Sequence, residues 1–523
     1  MKVEHVNIKV MNELVSDTND ALPPLYERVE NDPELLFQGS DLITDIPVDR
    51  NSQTVLEIVC AIEEAGGRIP FSRFMEICLY GNDGYYSSGK VKIGRGKEND
   101  FCTAPETSPF FGAAMASMAE KVWKSLGKPS EFIVVEMGAG KGGMAEGFLR
   151  WAEEIGGDFN KALKYKIVEY SPALIHDQQE RVSGENSPEW IRGSAYDLPL
   201  GGIVGMVLTN ELFDAFPVDR VARINGQLRQ KYIGIENSIW VEYWGDLSDE
   251  VAGYVFETKL RIPEGCEEPV NSKALDLQKK LVNAVRKGVV VTIDYGRNDT
   301  VGSHKSPSVR YYSSGSNSSR KVVHGSGRDA FAALEFPGDI DITASINFKL
   351  LEEAAFAFAR EEHKNLDIIF SGSQRDFLLK AGIEGIWDRE AAKAKAETAW
   401  IAKLRLWYEV FIVNKLLLMP SFYAQVMSIG IDPSSIDWSV FKEEYPPRPE
   451  KLNIQLGTEF SGKKIVVVPR VAAREKTVLA DVNGMIELSV LDLDDAYFMD
   501  ESGTIIFDKE SVLKKAEAAC KKD

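Results

Sequence analysis

Histidine and cysteine are scarce: the 523 residues hold five of each. The histidines form no HxxxH or HExxH pair, which argues against a histidine-rich metal site. Cys60, Cys78, Cys102, Cys266 and Cys520 lie far apart and form no CxxC. That pattern excludes a disulfide framework and a zinc cluster and fits a reducing compartment. No resident metal is expected. No run of eighteen apolar residues occurs, so no membrane-crossing helix is expected either. Positive charge is in deficit, with 61 Lys and Arg against 80 Asp and Glu and a formal charge of −19. A surface of that sign repels phosphate backbones and anionic lipids at long range, so neither nucleic acid nor membrane is the expected partner. Residues 1–20 contain several acids, no arginine and no apolar core. Transit peptides and secretory signals need the opposite, which makes the cytoplasm the expected location.

What is present fits an ordinary globular chain, with 44% apolar and 27% charged residues. Residues 1–50 are polar, contain Pro23, Pro24 and Pro33, and read as an extension with limited structure of its own. Residues 51–130 read as a helical module. Val55 to Ala65 has helical periodicity and is closed by Gly66-Gly67; Phe71 to Leu79 and Phe110 to Ser125 follow. Between them Tyr80 to Tyr86 is rich in turn residues. The core spans 131–440. Phe132-Ile133-Val134-Val135, Tyr165-Lys166-Ile167-Val168, Val204 to Leu208 and Gly288 to Ile293 are short apolar runs of the kind that form buried parallel strands. Helical stretches alternate with them, so the fold class is α/β, a parallel sheet covered on both faces.

Insertions at 221–285 and 298–335 interrupt this plan. Val221 to Trp244 alternates apolar and polar residues about Asn225-Gly226, which suggests a hairpin. Ser313 to Ser326 is rich in Ser and Gly and reads as a mobile loop. Ala391 to Leu418 has the periodicity of a long helix with apolar residues around much of its circumference, as in a helix that covers a sheet. Residues 441–523, after a change of composition at Pro446-Pro447, read as a small α+β appendage.

Gly138-Ala139-Gly140-Lys141-Gly142-Gly143 follows the first core strand and opens a helix, the context of a nucleotide-binding turn. Two cofactors compete for it. A dinucleotide would bring a pyrophosphate next to Glu136, two residues before the first glycine, and the acid would repel it. S-adenosyl-L-methionine carries an ammonium and a sulfonium, which an acid attracts. Glu169, ending the second strand, can accept hydrogen bonds from ribose hydroxyls in either case. Asp197, after a third strand, can take an adenine amino group or serve only as a turn or cap residue.

Further motifs extend the pattern. In order they are Gly67 to Met75, Gly84-Tyr85-Tyr86, Asp100 to Ser108, Phe111-Gly112, Val135 to Gly142, Val168 to Pro172 with Gln178, Thr209 to Val218, Ile293 to Gly296, Pro337-Gly338 with Asp341 to Ala344, and Gln374 with Phe377-Leu378-Leu379. Taken together they resemble the MidA-like S-adenosylmethionine-dependent methyltransferases, which include the mitochondrial complex I assembly factor that methylates an arginine. Thr103-Ala104-Pro105-Glu106 and the run from Asn210 to Val218 are the most specific parts. The resemblance implies a Rossmann-like seven-stranded methyltransferase sheet. It implies S-adenosyl-L-methionine as cofactor, held by Glu136, Gly138, Gly140, Glu169 and Asp197. Asn210, Glu211 and Asp214 would be catalytic, and Tyr85, Tyr86, Phe101, Thr103, Pro105 and Glu106 would line the acceptor side.

Two departures stand out. Ala344-Ser345-Ile346-Asn347-Phe348 lacks the His and Asp of the family's THVDF, and the segment Asn298 to Glu335 is longer than usual. Both lie where an acceptor is expected to bind. The acceptor is therefore either an arginine of a partner protein or a small metabolite; an NAD-dependent oxidoreductase and a non-catalytic assembly factor are the remaining readings. The oligomeric state is open.

Overall fold

The computed structural model forms two compact units, residues 1–440 and 441–523. Described in the first are residues 42–94, 99–184, 187–196, 201–298, 309–312, 331–396 and 422–437; in the second, 451–455, 464–468, 476–479, 485–489, 497–499 and 505–507. The segment from Ser313 to Ser326 and the stretch from Trp400 to Leu418 lie outside the described residues; the helix Ile383–Ala396 covers the start of that long helical reading.

The apolar runs of the core become one sheet. Its seven main strands are β1 Phe132–Met137, β2 Leu163–Glu169, β3 Glu189–Arg192, β4 Ile203–Asn210, β5 Val285–Arg297, β6 Leu366–Ser373 and β7 Phe422–Ile429. They lie in the order β6-β7-β5-β4-β1-β2-β3, and the short strand Ile346–Asn347 pairs with the end of β5. The pairs from β3 through β5 are parallel, and β7 runs antiparallel to both β5 and β6. Val135, Val207 and Val290 of the sheet pack with Leu277, Leu281, Leu351 and Ala355 of the covering helices Ser272–Ala284 and Phe348–Glu361. Strands buried on both faces need apolar residues on both, which is why they read as continuous runs rather than alternating ones. After β1 the chain winds toward β2 and β3, whereas β4 and β5 lie on its other side. The connections therefore diverge between β1 and β4, and a crevice opens beyond the carboxyl ends of the strands.

A second, antiparallel sheet stands apart from this core plan. Its order is Leu42–Pro47, Ile239–Gly245, Gln227–Glu236, Asp219–Ile224, Glu267–Val270, with Arg68–Pro70 added alongside Gln227–Glu236. The hairpin at Asn225-Gly226 forms with φ of +51° and +77°, the two left-handed residues of a type I′ turn. The structure goes further than the sequence reading here. Residues 42–47 of the polar extension are a strand, and the helical module contributes Arg68–Pro70. Both pair with strands more than 150 residues later, a non-local choice that periodicity does not record. Inside this sheet Arg220 holds Glu267 through two hydrogen bonds of 2.7 and 3.0 Å, and Lys231 donates to Glu242 at 2.6 Å, all four being buried. A separate pair, Val309–Tyr312 with Asp341–Ala344, reaches the crevice.

In the second unit the described residues are strands alone. Lys451–Gln455 pairs with Met485–Ser489, and Lys476–Leu479, Lys464–Val468, Tyr497–Met499 and Ile505–Phe507 make a four-stranded antiparallel sheet.

Candidate active site

A cavity of about 660 Å³ occupies the crevice. One half is built on the glycine turn. Gly138 donates its N–H to Val168 O at 2.8 Å, which fastens the turn to the end of β2. Gly138 and Gly140 have φ of +68° and +53°, and a Cβ at Gly138 would stand 2.9 Å from Leu212 Cδ1. Glycine supplies both the left-handed backbone and the clearance. Glu169 is buried at the carboxyl end of β2. Its oxygens accept from the Ser171 N–H at 3.0 Å and from Gln178 Nε2 at 3.2 Å. Gln178 Nε2 also donates to Gly140 O at 2.8 Å, so one amide ties the glycine turn to the acid. Glu136 accepts from the Tyr165 hydroxyl at 2.6 Å, and burial raises its pKa to about 8.

The other half is a cluster of buried carboxyl groups. β4 ends in Asn210, and Glu211 follows with φ +50°, an unusual conformation for a residue with a Cβ. Glu211 is held there by hydrogen bonds to Oε1 from the Ala104 N–H and from Asn210 Nδ2, both at 3.1 Å. Asp294, at the end of β5, accepts from the N–H groups of Phe213, Asp214 and Tyr295 and so fixes the turn that presents Asp214. Asp341 accepts from the Tyr86 hydroxyl at 2.9 Å, and the Tyr86 ring stacks on that of Tyr80 with centroids 5.6 Å apart. Burial first, and neighbouring acids second, push these groups up. Glu211 rises to about 7, Asp214 and Asp341 to about 8, and Asp294 well above its ordinary range. Among the described residues Asn210 Oδ1 is buried with no hydrogen-bond partner.

Most of the residues singled out by sequence meet at this cavity. Glu136, Gly138, Gly140, Glu169, Asn210, Glu211 and Asp214 line it, as do Tyr86, Phe101, Thr103, Pro105 and Glu106. Glu106 also has a second engagement: its carboxylate accepts from the Gly143 N–H at 3.1 Å and from Arg181 at 2.7 Å, clamping the helix that the glycine turn opens. Tyr85 is a correction. It is 1% exposed in the core of the N-terminal module and does not line the cavity; its hydroxyl donates to Asp100 at 2.7 Å, and its ring stands edge-on to Tyr86. Asp197 lies outside the described residues, although Gly193 to Tyr196, just before it, line the cavity. Ser345 and Asn347 also need correcting, since neither lines it. Asn347 instead caps the helix Phe348–Glu361, its Oδ1 accepting from the Leu350 N–H at 3.3 Å. Asparagine caps as well as aspartate, so this departure changes a helix end rather than the cavity wall.

Sequence reading assigned no role to Asp294, Asp341, Tyr80, Tyr295, Gln178 or Arg181. Asp294 and Asp341 sat within motifs already marked, each an acid directly after or among apolar residues at the end of a strand, and that was the available signal.

The wall suits S-adenosylmethionine. The glycine turn leaves room where a Cβ would intrude, Glu169 stands where a ribose can be held, and Glu136 adds a carboxyl group beside the turn. Residues 114–363 match the family described as "Putative S-adenosyl-L-methionine-dependent methyltransferase". Fold, turn and match together define the class: the chain is an S-adenosylmethionine-dependent methyltransferase of Rossmann-like fold.

The chain is also similar to proteins that carry names. Over 348 residues it is 26% identical to protein arginine methyltransferase NDUFAF7, mitochondrial, of Xenopus tropicalis, covering 61% of this chain and 73% of that one. The Drosophila melanogaster homolog is 25% identical over 327 residues, 55% of this chain and 67% of its own. A solved structure from Burkholderia thailandensis, bound to S-adenosyl-homocysteine, is 26% identical with a TM-score of 0.58 and covers 72% of this chain and 92% of its own.

Proposed function

We propose that the chain methylates a side-chain nitrogen of an arginine in a partner protein. The observation that carries this reading is the acceptor half of the cavity, where Glu211, Asp214 and Asp341 stand among the rings of Tyr80, Tyr86 and Tyr295. A guanidinium is planar, cationic and has five N–H donors; buried carboxylates and aromatic faces match each of those properties. The names of the NDUFAF7 relatives support the same acceptor.

The donor supplies an already activated methyl group on a sulfonium. What remains for the protein is alignment, exclusion of water and disposal of one proton. Asp214 and Glu211 hold the guanidinium and receive the proton lost from its nitrogen. Asn210 holds Glu211 in place through the hydrogen bond from its Nδ2 to Glu211 Oε1. A cation in this half also offsets the mutual repulsion of the acids, so that they ionise when the acceptor arrives.

The order of the motifs supports placing the chain in the MidA-like branch. A cytoplasmic setting is part of this proposal and is tested by cell fractionation; the NDUFAF7 relatives themselves are named as mitochondrial. The test of the acceptor is transfer of labelled methyl from S-adenosylmethionine into a lysate of the encoding organism, fractionated by size. Label in a protein, recovered as methylarginine after hydrolysis, is expected. Label confined to small molecules replaces this reading with a metabolite methyltransferase.

A further inference from the structure

The helix Pro172–Arg181 buries only two side chains, Leu174 and Gln178. A buried amide costs stability unless its polar atoms are paired, and here both are. Gln178 Nε2 donates to Gly140 O at 2.8 Å and to Glu169 Oε2 at 3.2 Å. Gln178 Oε1 accepts from the indole N–H of Trp190 at 3.1 Å. Trp190 lies on β3, paired with Ile167 of β2, two residues before Glu169. Gly140 and Glu169 line the cavity, whereas Gln178 and Trp190 do not. Whatever these two do for a bound donor, they do through Gly140 and Glu169.

The partners dictate how the amide is turned. A backbone carbonyl only accepts and an indole N–H only donates. With the amide reversed, its oxygen would face Gly140 O and the Glu169 carboxylate, and its N–H groups would face the indole N–H. Without the indole N–H, the buried Oε1 loses the donor that satisfies it, which favours rearrangement of the amide. We infer that Trp190 is a positioning residue for the methyl donor: its indole N–H holds the Gln178 amide so that Nε2 fixes Glu169 and the glycine turn, and Glu169 keeps its remaining lone pairs for the ribose hydroxyls. The inference rests on Glu169 taking the ribose. It gives the short strand β3 a task in the site, that of setting Trp190 against the buried face of the helix Pro172–Arg181.

The probes are S-adenosylhomocysteine and its 2′,3′-dideoxy analogue, titrated calorimetrically into the full chain. The ratio of their affinities reads the contribution of the ribose hydroxyls, which a general loss of stability does not move. Trp190→Phe keeps a ring and removes the N–H, and the ratio is expected to fall about tenfold, the scale of one hydrogen bond. Gln178→Met should lower it by a similar factor, and adding Trp190→Phe to that variant should change nothing further, because residues that act through one contact do not add. Trp190→His should restore most of the ratio: imidazole Nε2 occupies the ring position of the indole nitrogen and carries an N–H in one neutral tautomer. Trp190→Leu repeats the comparison should Trp190→Phe not fold. An unchanged ratio in Trp190→Phe, even with a lower Tm, makes Trp190 structural only and overturns the inference. A further tenfold fall in the double variant also overturns it, since Trp190 would then act apart from Gln178. Glu169→Ala is the control: a ratio unchanged there removes the ribose from Glu169, and the inference falls with that reading.

Discussion

The two halves of the cavity are built on opposite principles. The donor half is local and largely backbone: a glycine turn, the acid at the end of the next strand, and Gln178 joining them, all within residues 136–178. The acceptor half is assembled from distant segments, with Tyr80 and Tyr86, Thr103 to Glu106, Asn210 to Pro217, Tyr295, Tyr312, Asp341 and Thr343 converging on it. Its chemistry is carried by buried side chains whose charges oppose one another. A donor common to many reactions needs only a shape that a short motif can specify. A particular acceptor needs groups brought together by the whole fold.

The sharpest way to break this division is to fill the glycine turn. Gly140→Arg places a long side chain in the cavity and a Cβ on a left-handed backbone, costing about 1–2 kcal/mol in strain alone. Donor binding and turnover should both fall below detection while the circular dichroism spectrum is retained.

The acceptor half should respond differently. Glu211→Gln and Asp214→Asn keep the shape and remove the charge. Turnover should fall by about 10²–10⁴-fold, the usual contribution of a positioned acid or base, with affinity for S-adenosylhomocysteine little changed. A parallel loss of donor affinity would mean that the halves are not separable.

A smaller effect is expected from Glu169→Ala, which removes an acceptor for the ribose and leaves Gln178 Nε2 donating to Gly140 O, while Gln178 Oε1 keeps the Trp190 indole N–H. The loss should be about 1.5–3 kcal/mol in donor affinity by calorimetry, the range of hydrogen bonds to a charged group.

How far each half could be read beforehand follows from the same contrast. The strands, the turn, the hairpin at Asn225-Gly226 and the acid of Glu169 rest on local pattern, and the structure contains all of them. Tyr85 and Tyr86 were indistinguishable as neighbours in sequence. One is turned into the core and the other into the cavity, because Asp100 and Asp341 take their hydroxyls on different sides. Asn347 suggested an altered acceptor site, yet its side chain is used in capping a helix. Asp341 lies on a strand that pairs with Val309–Tyr312 across the long insertion and is tied to Asp214 O by the Ala344 N–H at 2.9 Å.

The pH dependence sharpens the comparison further. Glu211, Asp214 and Asp341 have pKa values raised to between about 7 and about 8 in the folded protein, above the unfolded carboxyl range. The folded state therefore holds protons that the unfolded state has already lost. Their contribution to stability is complete below the unfolded carboxyl pKa and is lost as pH rises through 7 to 8. The Tm of the unliganded protein should fall over this window, by roughly 2 °C for each kcal/mol lost, and Asp214→Asn should flatten the fall. A Tm that rises over the same window would contradict the reading of the acidic cluster.

The least perturbing change is removal of the second unit. The first unit contains the whole cavity. Truncation after residue 440 should leave affinity for S-adenosylhomocysteine within about twofold, the scale of a few tenths of a kcal/mol.

The most direct test of the central claim is calorimetric titration of S-adenosylhomocysteine into the unsubstituted protein, Gly140→Arg and Asp214→Asn, with methyl transfer measured on the same samples. The account predicts binding and transfer in the first, neither in the second, and binding without transfer in the third. Undiminished binding to Gly140→Arg, or undiminished transfer by Asp214→Asn, would contradict it.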